Sequence, residues 1–151
     1  MLIEVHAGAF VCWHDQILIV QRSRTGDEFE GLWEIPSGRV EPQERLTDAC
    51  RREAYQETGV TLDPLEAISA IEYWKHKSGT TIHCVQVNFI CPLFGASLPQ
   101  IRLSEEHCSY KWVALETLGH GLVSPEMEQA WMTAVPRIQQ LLTPLNENVT
   151  R

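Results

Sequence analysis

Residues 38–60 read Gly38-Arg39-Val40-Glu41-Pro42-Gln43-Glu44-Arg45-Leu46-Thr47-Asp48-Ala49-Cys50-Arg51-Arg52-Glu53-Ala54-Tyr55-Gln56-Glu57-Thr58-Gly59-Val60. Pro42 and Gln43 suit a first helical turn and Gly59 suits a left-handed C′ residue, so the spacing predicts one helix from Gln43 to Thr58. At roughly 100° per residue its inward stripe starts with Leu46, Ala49 and Cys50 and continues onto Glu53 and Glu57, with Ala54 and Gln56 on the flanks. Two carboxylates therefore follow the apolar stripe inward. They are like charges at i,i+4, which repel, and they occupy the last turns, where the helix dipole disfavours anions. A bound divalent cation would turn each of these penalties into an attraction, since hard cations take clustered oxygen ligands. Local rules that fail together point to a functional site.

Gly38, Glu44, Arg52, Glu53, Glu57 and Gly59 stand at the spacing of the Nudix box, and the chain resembles the Nudix hydrolase family, with its MutT-like pyrophosphohydrolases, at this segment. With each type at roughly one position in fifteen, six in register arise by chance on the order of once in ten million windows. The approach Gly31-Leu32-Trp33-Glu34-Ile35-Pro36-Ser37-Gly38 is similar to the family's as well. The resemblance implies an α/β/α sandwich with a mixed sheet. It also implies Mg²⁺ or Mn²⁺-dependent cleavage of a nucleoside diphosphate linked to another group. On the matching positions it implies Glu53, Gln56, Glu57 and the Gly38 carbonyl as metal ligands, Arg52 as orienter of the acids and Glu44 as support for the helix start. Three positions depart from the pattern. Ala54 is smaller than the usual aliphatic residue, Ser37 replaces a common Gly, and Gln56 offers a neutral amide oxygen where the family has Glu.

The late stretch Leu103-Ser104-Glu105-Glu106-His107-Cys108-Ser109-Tyr110-Lys111-Trp112 resembles the loop of members acting on nucleoside triphosphates, dihydroneopterin triphosphate or dinucleoside polyphosphates. Catalytic candidates are thus Glu53, Arg52, Glu57 and Glu106, with the general base open between Glu53 and either Glu105 or Glu106. Arg22 is the candidate for phosphate and Trp33 for stacking on a base, a core position being the competing reading for Trp33. The substrate expected is a triphosphate split to a monophosphate and pyrophosphate. A nucleotide-binding or regulatory module whose turnover is impaired by Gln56 is the alternative.

Composition narrows the classes. A chain of 151 residues, 44% hydrophobic, suits one domain over residues 1–151. A formal charge of −8 without a Lys/Arg run argues against a nucleic-acid polymer as partner. Half of the twelve basic residues, Arg22, Arg24, Arg39, Arg45, Arg51 and Arg52, nevertheless surround the box, as a small polyanion requires, although neighbouring acids compete for them. Five scattered Cys without a Cys-x-x-Cys pair suit a reduced chain. Met1 to His6 lacks the features of a signal peptide and no stretch approaches membrane-spanning length, so a cytoplasmic protein is expected. Asn148-Val149-Thr150 matches the glycosylation pattern without a secretory context, and the six His show no paired metal spacing. A small-molecule nucleotide is the expected partner, and a homodimer is compatible with the reading.

Apolar-rich segments predict strands over Ile3–Trp13 and Gln16–Arg22 around a tight turn at His14-Asp15. A hairpin is predicted from Leu65–Trp74 and Thr80–Cys91 around Lys77-Ser78-Gly79, and a strand over Tyr110–Leu115. Ser124-Pro125 opens a second helix whose stripe is Met127, Ala130, Trp131, Ala134, Ile138, Leu141 and Leu142, with a kink expected at Pro136. Residues 92–103 read as a mobile loop and the last six as a frayed tail.

Overall fold

The computed structural model describes residues 2–23, 28–116 and 123–149, with side chains of the last helix described to Pro144. Arg24, Thr150 and Arg151 lie outside the described residues. The elements are β1 (Leu2–Trp13), β2 (Gln16–Arg22), β3 (Trp33–Glu34), β4 (Ser37–Arg39), α1 (Leu46–Thr58), β5 (Glu66–Lys77), β6 (Thr80–Pro92), β7 (His107–Ala114) and α2 (Pro125–Val149).

Strands β3-β2-β1-β6-β5 form one sheet in that order, with β4 on β1 and β7 on β2. β1 and β6 are parallel, from Leu2 opposite Ile82 to Cys12 opposite Pro92, and the remaining pairs are antiparallel. Because side chains alternate along a strand, the central strands are apolar on both faces, and each face buries one helix. Ala7, Ala9, Val11, Leu18, Phe89 and Cys91 pack against Ala49, Cys50 and Ala54 of α1. Phe10, Cys12, Ile17, Ile19 and Ile90 pack against Met127, Trp131, Ala134, Ile138 and Leu142 of α2. The result is the mixed-sheet α/β/α sandwich expected from the sequence.

Four local expectations are corrected. α1 begins at Leu46 rather than Gln43, because Gln43 takes a left-handed φ of 65° and a turn closes beneath it: Glu44 N–H donates to Glu41 O at 3.0 Å, and Glu41 N–H donates to Glu44 Oε1 at 3.0 Å. Leu46, placed on the inward stripe, is consequently 36% exposed at the helix start. β7 begins at His107, three residues before the predicted Tyr110, since its pairing with β2 reaches Arg22. α2 continues to Val149, through Pro136, Pro144 and much of the expected tail. Pro92 still belongs to β6, and residues 93–103 carry no helix or strand, yet Leu93 N–H is tied to Cys12 O and Arg102 N–H to Thr58 O, each at 2.8 Å.

Trp131 fixes α2 on the sheet. It is fully buried, meets Phe10 edge to face at 5.3 Å, and donates its indole N–H to Leu115 O at 3.1 Å. Trp131→Ala is expected to cost about 3–5 kcal/mol in urea unfolding; a loss below about 1 kcal/mol would mean that α2 contributes little to the core.

Candidate metal and phosphate site

The last two turns of α1 carry Glu53 and Glu57 toward β4, and Gly59 ends the helix there with φ 74° and its N–H on Tyr55 O at 2.8 Å. Glu57 is buried, and its Oε2 accepts from Ser37 N–H at 3.1 Å. Glu53 lies against Gly38 so closely that any Cβ on residue 38 would collide with its carboxylate. A side chain at 38 would therefore push the Glu53 carboxylate out of this position.

Arg52 organises the outer half of the cluster. Its Nε and Nη2 donate to the two oxygens of Glu44 at 2.8 and 2.9 Å, Nη1 donates to Glu53 Oε1 at 2.7 Å, and Nη2 also reaches Arg39 O at 2.9 Å. This grip holds the Glu44 carboxyl down at about 2. Gln56 is exposed, with its amide oxygen 3.5 Å from Arg52 Nη1.

None of the Arg52 hydrogen bonds reaches Glu57. Burial raises the Glu57 carboxyl well above the ordinary carboxylate range, and the charges of Glu34, Glu53 and Glu106 add to that rise. Glu53 is also raised, chiefly by burial and against the pull of Arg52. Glu106 is the acid that the late loop delivers: Glu57, Glu106 and His107 each present a ligand atom within 4.8 Å of the others, whereas Glu105 is not in that group. Glu106 is held there because Ser104 N–H donates to Glu57 O at 3.1 Å and Ser23 N–H to Glu106 O at 2.8 Å.

Sequence reasoning missed Glu34 and His107. Glu34 Oε1 accepts from Arg22 Nη1 at 3.3 Å and pairs with His107 Nε2 at 2.8 Å. The His107 side chain is buried, and its Nδ1 has no partner among the described residues. Arg22 thus stands at the cluster through Glu34. Trp33 is half-buried against the α2-side core, with Lys111 Nζ 4.3 Å from its ring centroid.

Carboxylates dominate this donor set, as hard divalent cations require, and the described hydrogen bond to the Glu57 carboxylate comes from the Ser37 N–H rather than from a cation. The residues fit Mg²⁺ or Mn²⁺. The raised Glu57 carboxyl makes metal-free stability highest below the unfolded-state value near 4.5 and lets it fall as pH rises through the higher folded-state value. Glu57→Gln should flatten that dependence in EDTA and should abolish the rise in melting temperature that Mn²⁺ gives the parent. Full stabilisation of Glu57→Gln by Mn²⁺ would move the metal elsewhere.

The NUDIX domain family model matches residues 3–133. Nudix hydrolase 8 of Arabidopsis thaliana is 29% identical over 74% of this chain, which spans only 30% of that longer protein. The nucleoside triphosphatase NudI of Klebsiella pneumoniae is 30% identical over 60% of this chain and 67% of its own length. Among solved structures, a MutT protein from Methanosarcina mazei Go1 superposes with a TM-score of 0.73 at 23% identity, covering 92% of this chain and 96% of its own. The family model covers most of the chain and the fold agrees with it, so the chain belongs to the Nudix family.

Proposed function

We propose that this chain is a divalent-metal-dependent hydrolase that cleaves a phosphoanhydride of a nucleoside triphosphate, releasing monophosphate and pyrophosphate. The observation that carries the proposal is the buried Glu57 carboxylate, which lies within 4.8 Å of ligand atoms on Glu106 and His107 and feels the charges of Glu34, Glu53 and Glu106. The name of the Klebsiella relative, a nucleoside triphosphatase, supports the substrate class.

In this reading Glu57, Glu106, Glu53 and the Gly38 carbonyl hold the metal, with Gln56 a weak or vacant ligand position. The bound ion would supply charge neutralisation at phosphate oxygens and a more acidic water. Arg52 fixes the Glu53 carboxylate while leaving one of its oxygens unclaimed by the guanidinium. Burial keeps Glu53 a better base than a solvated carboxylate, which suits it to take the proton of an attacking water. Arg22, beside Glu34, meets a phosphate oxygen when one enters. Trp33, already covered by Lys111, serves the packing of β3 more than a base.

A screen of nucleotides with Mg²⁺ and Mn²⁺, reading pyrophosphate release, tests the reading. Glu53→Gln should lower kcat by about two decades with the circular dichroism spectrum unchanged. Loss of activity together with loss of fold would instead make Glu53 structural. Gln56→Glu should tighten Mg²⁺ binding and leave activity equal or higher, since an ionised oxygen attracts a hard cation more strongly. Weaker metal binding would mean that residue 56 acts through Arg52. No release from any nucleotide by the parent, with turnover appearing in Gln56→Glu, would favour the binding-module reading.

A further inference from the structure

A second group of metal-ligating side chains lies in the first half of β1, before the residues that pack against the two helices. Glu4 and His6 alternate onto one face of that strand, and Cys84 of β6 stands directly opposite Glu4 in the parallel pairing. Tyr73 of β5 stands opposite Cys84, and Arg39 of β4 stands opposite His6, so four strands converge at this point. A carboxylate oxygen of Glu4, a ring nitrogen of His6 and the Cys84 sulfur lie within 4.8 Å of one another.

This set differs in kind from the carboxylates around Glu57. Sulfur, imidazole nitrogen and a single carboxylate suit a borderline-soft ion such as Zn²⁺ rather than Mg²⁺. Zinc bonds of roughly 2.0–2.3 Å in a tetrahedron hold neighbouring ligand atoms roughly 3.5 Å apart, so shifts of about an ångström close the group on an ion. Packing already orients two of the three ligands. Cys84 is fully buried and His6 nearly so; the His6 ring meets Tyr73 edge-on at 6.1 Å, and Phe29 meets Tyr73 in turn at 6.0 Å. Burial holds His6 below its ordinary value, which leaves a neutral imidazole with a lone pair to donate.

Glu4 already gathers positive charge. Its Oε2 accepts from Lys75 Nζ at 2.7 Å and pairs with His6 Nε2 at 3.0 Å, while Arg39 Nη1 stands 3.8 Å from its Oε1. The Lys75 side chain is a quarter exposed and carried on a flexible stem, so its ammonium can withdraw to solvent without leaving a buried charge.

We propose that Glu4, His6 and Cys84 bind one Zn²⁺ in exchange for the Lys75 ammonium, with a water completing the tetrahedron. In the exchange the Lys75–Glu4 hydrogen bond breaks, the Cys84 thiol gives one proton to solvent, and the ion bonds to the thiolate, a His6 ring nitrogen and a Glu4 oxygen. One carboxylate and one thiolate neutralise the dication, so no net charge is added to the interior. The ion fastens β1 to β6 and uses none of the acids of α1.

Co²⁺ reports the sulfur ligand optically, because a thiolate gives it a charge-transfer band in the near ultraviolet that a carboxylate site does not give. Titrated with Co²⁺ at neutral pH in excess Mg²⁺, the full chain should develop this band at one equivalent, and Zn²⁺ should remove it. The band should persist in Glu57→Gln and in Cys108→Ser, which lacks the exposed thiol, and should vanish in Cys84→Ser. Two changes at less buried positions decide the matter even where Cys84→Ser fails to fold. Glu4→Gln should weaken Co²⁺ binding about tenfold or more, and Lys75→Met should tighten it about threefold by removing the competing ammonium. No band in the parent, a band that survives Cys84→Ser, or an affinity unchanged in either Glu4→Gln or Lys75→Met would overturn the assignment.

Discussion

A carboxylate buried in the last turn of a helix constrains most of the architecture around it. At Glu57 the helix dipole, the removal of water and the charges of Glu34, Glu53 and Glu106 all oppose ionisation, and among the described residues only the Ser37 N–H stabilises it. β4 must lie where Ser37 can donate, residue 38 must lack a side chain so that Glu53 can fit, and the helix must end sharply at Gly59. Arg52 neutralises only the outer half of the cluster. Its guanidinium is occupied by Glu44, Glu53 and the Arg39 carbonyl, and none of its hydrogen bonds reaches Glu57. The imbalance between the two halves is what a cation would correct.

The helix end does a second job. The final carbonyls of any α-helix lack intrahelical donors and must find partners elsewhere. Here Thr58 O takes Arg102 N–H and Glu57 O takes Ser104 N–H, so an irregular segment is tied to α1 by bonds that the helix needs in any case. Ser23 ties the other side, through its N–H to Glu106 O and its hydroxyl to Glu105 O at 2.9 Å. Glu106 and His107 are thereby fixed without belonging to a helix, and β7 starts at His107 as a continuation of the same restraint.

What could be read from sequence follows from which signals are periodic. The central strands β1, β2 and β6 announce themselves as apolar runs, and the α2 stripe and the acidic misfit of α1 by a spacing of 3.6 residues. β3 and β4, two and three residues long, carry no period, yet they position Trp33, Glu34, Ser37 and Gly38. The start of α1 was misread because Gln43 has an ordinary side chain and a left-handed backbone, stabilised by a Glu41–Glu44 turn that propensity does not reveal. Glu34 and His107 stayed hidden for a different reason: they pair across 73 residues, and the sequence marks neither partner. Their closest local signal was the Trp33-Glu34-Ile35-Pro36 approach to the box, in which Glu34 was quoted without a role.

The sheet separates the acidic cluster from the anchor of α2. The carboxylates hang on α1, whose inward face also packs the core through Ala49, Cys50 and Ala54, so few substitutions there leave both packing and charge intact. A cavity on the α2 side is bounded by β5 at the sheet's edge and by the solvent-facing turn of a helix anchored elsewhere, at Trp131. Side chains such as Glu126 and Gln129 can change there without disturbing Arg52 or the Glu57–Ser37 contact, because neither α2 nor β5 supplies a partner to either one. The acidic cluster and the anchor of α2 are thus independent: a change on one side of the sheet leaves the hydrogen bonds of the other in place.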